Sequence, residues 1–146
     1  MRVITLKQPW ASLVANGLKK YEFRKMNYSY RGKILIHAGK GIDKEAMERV
    51  KKYGLEYPQK QIIAEVEIED CIKVDDEFNK FINDLNSPIY GTKNRDGYAW
   101  KLKNIKKISN GKKISGKQGI WYINDNEYKQ EKTFNLNLLI KSFLII

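Results

Sequence analysis

Cysteine and histidine are nearly missing from this chain of 146 residues, which contains one of each. Because Cys71 is alone, the chain forms no internal disulfide and no zinc site built on cysteines. His37 is the single histidine, so a metal site would depend on carboxylates for its other ligands. We therefore expect neither a metal nor another cofactor.

Long apolar runs are also missing. No stretch reaches the roughly 18 consecutive apolar residues that are typical of a membrane-spanning helix. The first residues, MRVITLKQ, alternate between apolar and polar side chains as a strand does, and they lack the apolar core of a signal peptide. The sequence thus favours a cytoplasmic protein without a membrane partner, and its length favours one principal domain.

Acidic residues are scarce at both ends of the chain. Residues 1–60 have 14 lysines and arginines against 5 acidic residues, and residues 101–146 have 10 against 3. The segment 61–100 is acidic instead, with 4 lysines and arginines against 9 acidic residues. The formal net charge of the whole chain is +11. If the two basic ends meet in space, they form a positive face that attracts polyanions through counterion release. The charge therefore favours contact with nucleic acid, although a lysine-rich genome is the plainer explanation of such a composition.

The apolar periodicity predicts about six short strands and three helices. Because the strands lack the regular spacing of βαβ units, we expect an α+β fold, a small mixed and mostly antiparallel β-barrel decorated by helices. The predicted strands are residues 2–6, 19–24, 33–38, 62–72, 98–102 and 120–123. The predicted helices begin at Pro9, at Asp43 and at Asp75.

The segment Gly17 to Arg24 combines a helix end with the start of a strand. Glu22 and Arg24 alternate with two aromatic residues and therefore share one face of the strand. Lys19 lies at the mouth of the turn, out of phase with them, and joins their site only if the turn bends it inward. Three charges that converge on such a corner suggest a binding site. A solvated edge with a weak ion pair is the alternative.

Other candidates have structural explanations beside the functional ones. Trp10 is more often a core anchor than a platform for a base. His37 is most simply a partly buried histidine bonded to backbone, but it leads into Gly39-Lys40-Gly41, which we interpret as a loop where backbone approaches a ligand. Such a Gly-Lys-Gly sequence is a weak phosphate signal on its own.

Three blocks of the chain together resemble the ASCH domain, a family of the PUA-like superfamily. They are LKQPWAS at residues 6–12, NGLKKYEFR at residues 16–24 and YRGKILIHA at residues 30–38. The segments 64–71, 98–102 and 116–121 are similar to the remaining strands of that family. We therefore assign residues 1–124 to an ASCH domain, and residues 125–146 to a C-terminal extension of uncertain structure.

The resemblance implies a small β-barrel whose cleft, beside the helix-to-strand turn, binds RNA or nucleotide-like ligands. The charges of the family motif correspond to Lys19, Glu22 and Arg24. A basic rim would hold phosphate, Glu22 would accept a hydrogen bond from an exocyclic amine, and Trp10 or Tyr98 would stack a base. The candidate ligand-binding residues are Gln8, Trp10, Lys19, Glu22, Arg24, His37, Lys40 and Tyr98.

An amidohydrolase is the second hypothesis, and it leaves open whether the protein is an enzyme. Some ASCH-like proteins that resemble this chain hydrolyse N4-acetylcytidine with a lysine base and a threonine nucleophile three residues apart. Lys19 and Glu22 occupy these two positions here. A carboxylate can act as a general base for water, but it cannot repeat the role of the threonine unchanged. Glu65, Glu67 and Glu77 are the candidates for a more distant acid. A third hypothesis is a protein-interaction domain in which Glu22 and Arg24 merely stabilise the corner.

Overall fold

The structure is a computed structural model that describes residues 1–125. The expected C-terminal extension therefore lies outside the described residues, apart from Asp125. Residues 1–125 contain six strands: β1 (Arg2–Gln8), β2 (Tyr21–Arg24), β3 (Gly32–Ile42), β4 (Gln61–Lys73), β5 (Tyr98–Lys107) and β6 (Ile120–Tyr122). Three helices accompany them: α1 (Trp10–Ala15), α2 (Lys44–Arg49) and α3 (Asp76–Asp84). Within residues 1–125, no helix is long and apolar enough to cross a membrane.

The six strands form one mixed sheet in the order β2-β5-β4-β3-β1-β6. Only β1 and β3 run parallel, and the other neighbours are antiparallel. This arrangement confirms the α+β class and the counts of strands and helices. Since β2 and β6 are the two edges and no pairing joins them in residues 1–125, the expected closure into a barrel is not confirmed.

Both faces of the central strands are buried. On one face, Ile4, Ile36 and Val66 pack with α1 in the main core. On the other face, Leu35 packs with Trp121 in a second, smaller core. Burial on both sides explains why β3 reads as an almost unbroken apolar run.

The ends of the helices follow the predicted signals. Asp43 and Asp75 cap α2 and α3, and each carboxylate accepts a hydrogen bond from the backbone N–H three residues ahead. Gly17 follows α1 with a φ of 74°, and this left-handed conformation turns the chain toward β2.

The predicted loop at Gly39-Lys40-Gly41 is wrong, because these residues belong to β3. Periodicity missed the extension since two glycines interrupt the apolar pattern. Packing explains why residue 39 is a glycine, because a Cβ atom there would lie 2.8 Å from the Cγ2 atom of Thr5 on the neighbouring strand. The lysine-rich end of β5 was also missed, and it pairs with the glutamates of β4.

Candidate functional site

A cavity of about 640 Å³ opens where the β2 corner meets the α3–β5 connection and the segment before β6. Six of the eight candidate ligand-binding residues line it: Trp10, Lys19, Glu22, Arg24, His37 and Lys40. Gln8 and Tyr98 do not. The structure thus brings most of the predicted residues to one place.

The turn after α1 bends Lys19 inward. The backbone N–H groups of Leu18 and Lys19 both donate to the carbonyl oxygen of Leu13, at 2.9 and 3.1 Å. The Lys19 ammonium group then donates to the Glu22 carboxylate at 2.7 Å and to the Tyr21 carbonyl oxygen at 2.6 Å. Lys19 is 3% exposed and Glu22 is 7% exposed, so this ion pair is buried and is not a solvated edge.

Burial dominates the electrostatics of the pair. Desolvation lowers the pKa of Lys19, and the Glu22 carboxylate opposes this shift without cancelling it. The second carboxylate oxygen of Glu22 lies 4.0 Å from the Arg24 guanidinium. One oxygen of Glu22 is therefore held by Lys19, while the other is directed toward Arg24 and remains available as an acceptor.

The ring of Trp10 is already in contact with cations. The Lys19 ammonium nitrogen lies 5.5 Å from the ring centroid, and the Arg49 guanidinium carbon lies 5.9 Å from it. The ring also packs against the cluster of Leu13, Val50 and neighbouring residues. The structure therefore uses Trp10 as a core anchor, which was the plainer of its two interpretations.

His37 forms part of a chain of hydrogen bonds in the cavity wall. Its Nε2 atom lies 2.6 Å from the Ile114 carbonyl oxygen, which can only accept, so Nε2 carries the proton. Burial lowers the pKa of His37, which favours the neutral ring, and in that form Nδ1 accepts from the Thr5 hydroxyl at 3.2 Å. The Trp121 indole N–H donates in turn to that hydroxyl oxygen at 2.9 Å. Both ring nitrogens thus have protein partners, so His37 shapes the wall and offers no free nitrogen to a ligand.

Gln8 is a structural residue. Its side-chain amide donates to the Ser12 hydroxyl at 2.9 Å and to the Pro58 carbonyl oxygen at 2.8 Å, and its oxygen accepts from the Ser12 N–H at 3.0 Å. The side chain is completely buried and fixes the start of α1. Tyr98 pairs across the sheet with Arg24 and packs against the main core. Contact of either side chain with a ligand in this cavity is thus not supported.

Several lining residues were not predicted from the sequence. Tyr90, Lys93 and Arg95 come from the connection between α3 and β5, and Ser115 to Gly119 come from the segment before β6. The residues around Arg95, Asn94 to Gly97, are of types that are typical of a turn, and nothing in them indicates a site. Nothing in a single sequence places these segments beside Lys19, because their proximity is created by the order of the strands.

The cavity wall is strongly basic, and within the described residues its carboxylates come only from Glu22 and Asp43. The lining cations are Lys7, Lys19, Arg24, Lys40, Lys60, Lys93, Arg95 and Lys117. Within residues 1–125, ion pairs involve only Lys19 and Arg24 of these eight. On β5, by contrast, Lys101 and Lys106 lie 3.4 and 3.9 Å from glutamates of β4. The cavity wall therefore carries an excess of positive charge that acidic side chains within residues 1–125 do not balance.

The three candidates for a distant acid do not line the cavity. Glu65 and Glu67 face lysines across the β4–β5 pairing, and Glu77 lies in the first turn of α3. Asp43 does line the cavity, but one of its carboxylate oxygens caps α2. Within residues 1–125, no three His, Cys, Asp or Glu side chains are grouped so as to hold a metal ion.

The comparisons with known proteins agree with this architecture. The model of the ASCH domain family matches residues 4–137. Crystal structures of an ASCH protein from Zymomonas mobilis and of two single-residue mutants superpose on the chain with TM-scores of 0.56. These structures are 15–16% identical in sequence, and the alignments cover 90–94% of this chain and 92–96% of theirs. At that identity the likeness shows the fold alone. The comparison with curated proteins gives no match.

Proposed function

The chain belongs to the ASCH domain family, and from this premise we propose that it binds RNA or a nucleotide-like ligand in the basic cavity. The observation that supports the proposal is the charge of the wall, where the described part of the chain contributes eight cations and two carboxylates. Lysines such as Lys93 and Lys117 have no ion-pair partner within residues 1–125. They can therefore hold phosphate groups without first breaking an ion pair with any of those residues.

The buried pair of Lys19 and Glu22 gives the cavity polar groups that can form hydrogen bonds with the edge of a base. The free oxygen of Glu22 accepts a hydrogen bond, and Lys19 and Arg24 donate beside it. A base edge that presents an exocyclic amine next to an acceptor matches this arrangement. Phosphates on the lysine rim would hold the nucleotide, while Glu22 would discriminate between bases.

The test is the salt dependence of binding to a short single-stranded RNA. Each phosphate that a cation neutralises contributes a slope of roughly −0.7 to a plot of log K against log salt concentration. Replacing Lys93 and Lys117 by glutamine should weaken binding and reduce the slope by that amount for each phosphate that is no longer held. The matched control replaces Lys101 and Lys106, which already have glutamate partners, and should leave the slope unchanged. Absence of RNA binding at low salt would refute the proposal, and so would equal slopes for the two double variants.

A second candidate function is hydrolysis of an N4-acylated cytidine. It is supported by the lowered pKa of Lys19, because a buried lysine near a carboxylate has the character of a catalytic base. The threonine of the related hydrolases is replaced by Glu22, so water would be the nucleophile. Incubation with N4-acetylcytidine, followed by mass spectrometry of the product, tests this function. Turnover that is lost in Glu22→Gln would support it, and failure to form cytidine at high protein concentration and long times would exclude it.

A further inference from the structure

Arg95 is held in the cavity wall by its backbone and by its side chain. Its backbone N–H donates to the Asn79 side chain, and its carbonyl oxygen accepts from the same side chain, both at 2.8 Å. Its guanidinium group donates to the Tyr90 carbonyl oxygen and, at 3.2 Å, to the Lys93 carbonyl oxygen.

The guanidinium group lies over the ring of Phe23, with 4.5 Å between its central carbon and the ring centroid. Within residues 1–125, Arg95 has no ion pair. Two of its N–H groups are used by carbonyl oxygens, which removes part of the fork that usually grips a phosphate. What remains is a planar group that is supported by an aromatic ring and is half-buried in the wall.

The large aromatic side chains of the cavity are less available to a base. Trp10 is in contact with two cations, and Phe23 is covered by Arg95. The hydroxyl of Tyr90 accepts two backbone N–H groups of the β2 corner, at 3.0 and 3.2 Å, and its ring packs against Phe23. A base that enters the cavity therefore meets these rings already engaged by protein groups.

From this geometry we infer that Arg95, supported by Phe23, is the platform on which the cavity stacks a nucleobase. Bases stack on arginine planes as they do on aromatic rings. The inference rests on the proposed function and adds a binding residue that discriminates a base from a bare sugar-phosphate. Arg95 would thus supply the stacking that the sequence assigned to Trp10 or Tyr98.

The test distinguishes the contribution of the planar guanidinium group of Arg95 from the contribution of its positive charge. Arg95→Lys keeps the positive charge and loses the planar guanidinium group, whereas Arg95→Gln loses the charge and replaces the guanidinium group by a smaller amide. The binding partners are a short single-stranded RNA and a series of the same RNA with one abasic site at each position in turn. Arg31→Lys is the matched control, because Arg31 also donates to backbone carbonyl oxygens but lies outside the cavity lining.

If Arg95 stacks a base, one abasic position should weaken binding to the original protein on the order of tenfold. Arg95→Lys should lose a similar factor with intact RNA, keep its salt slope, and no longer respond to that abasic position. If Arg95→Lys instead binds like the original protein, and Arg95→Gln loses salt slope, then Arg95 holds a phosphate and the inference is wrong.

The outcome is interpretable even when a variant fails to fold, because the abasic series is measured on the original protein. Equal affinity for every abasic RNA would overturn the inference and leave the proposed function standing. Absence of binding to intact RNA would instead overturn the proposed function itself.

Discussion

The buried ion pair of Lys19 and Glu22 gives the strongest stability prediction. Replacing Lys19 by methionine keeps the apolar stem of the side chain but leaves the Glu22 carboxylate buried without its counter-ion. It also removes the hydrogen bond to the Tyr21 carbonyl oxygen. Because both side chains are almost inaccessible to water, solvent cannot replace these interactions in the folded state.

The expected loss of stability is large for a single substitution. Removing one partner of a buried pair costs about 3–5 kcal/mol, whereas an exposed pair contributes about 0–1 kcal/mol. Glu22→Gln should cost less than Lys19→Met, because the amide oxygen still accepts from the ammonium group and the lysine can lose its proton. The double variant Lys19→Met/Glu22→Gln should be more stable than the sum of the single losses implies, since it leaves no buried charge.

Urea unfolding of the four proteins, followed by tryptophan fluorescence, measures these differences as a double-mutant cycle. Lys106→Met is the matched control, because its ion pair with Glu65 is exposed on the lysine side, and we expect it to change stability by less than about 1 kcal/mol. If Lys19→Met also costs less than about 1 kcal/mol, or if the two single losses simply add, the pair is not the buried unit described here.

Three further predictions concern the supporting structure. Burial lowers the pKa of His37 below its ordinary value of 6.5, so the unfolded chain binds a proton before the folded chain does. The free energy of unfolding should therefore fall as the pH decreases below about 6.5. Urea titrations should show a smaller fall between about pH 6.5 and 5 for His37→Gln than for the original protein. An equal dependence of stability on pH in the two proteins would contradict this prediction. Gly116→Ala should cost about 1–3 kcal/mol in thermal or urea unfolding, because the added Cβ would lie 2.5 Å from the His37 ring; an unchanged midpoint would refute that packing. Asp75→Ala should cost about 1 kcal/mol through loss of the α3 cap to the Phe78 N–H, and Asp76→Ala, one residue further along, is the control that should cost less.

The strands and helices were predictable because their signals are local. Period-two alternation identified β4 and β5, and capping residues identified α2 and α3. The Gly39–Gly41 segment was misjudged because its first glycine satisfies a packing demand from Thr5, which is distant in sequence. The lysine-rich end of β5 was likewise determined by pairing with the glutamates of β4.

The charged residues of the β2 corner were predictable, whereas the part of the cavity wall that comes from the connection between α3 and β5 was not. Glu22 and Arg24 follow from alternation, and the inward bend of Lys19 depends on a turn that Gly17 allows. Arg95 reaches the cavity only because β5 lies beside β2 in the sheet, an arrangement that no local pattern records. Trp10 could not be decided from the sequence, because an aromatic residue in a motif suits a core anchor or a stacking platform until its contacts with Lys19, Arg49 and the apolar cluster are known.

The central claim, that the basic cavity is where RNA or a nucleotide binds, is tested most directly by photo-crosslinking. A short RNA that carries 4-thiouridine would be irradiated with the protein, and the modified peptides would be identified by mass spectrometry. We predict crosslinks in the peptides that contain Phe23, Tyr90 and Gly116, which line the cavity. Crosslinks confined to the exposed side of β4 and β5, with none in the cavity peptides, would contradict the account.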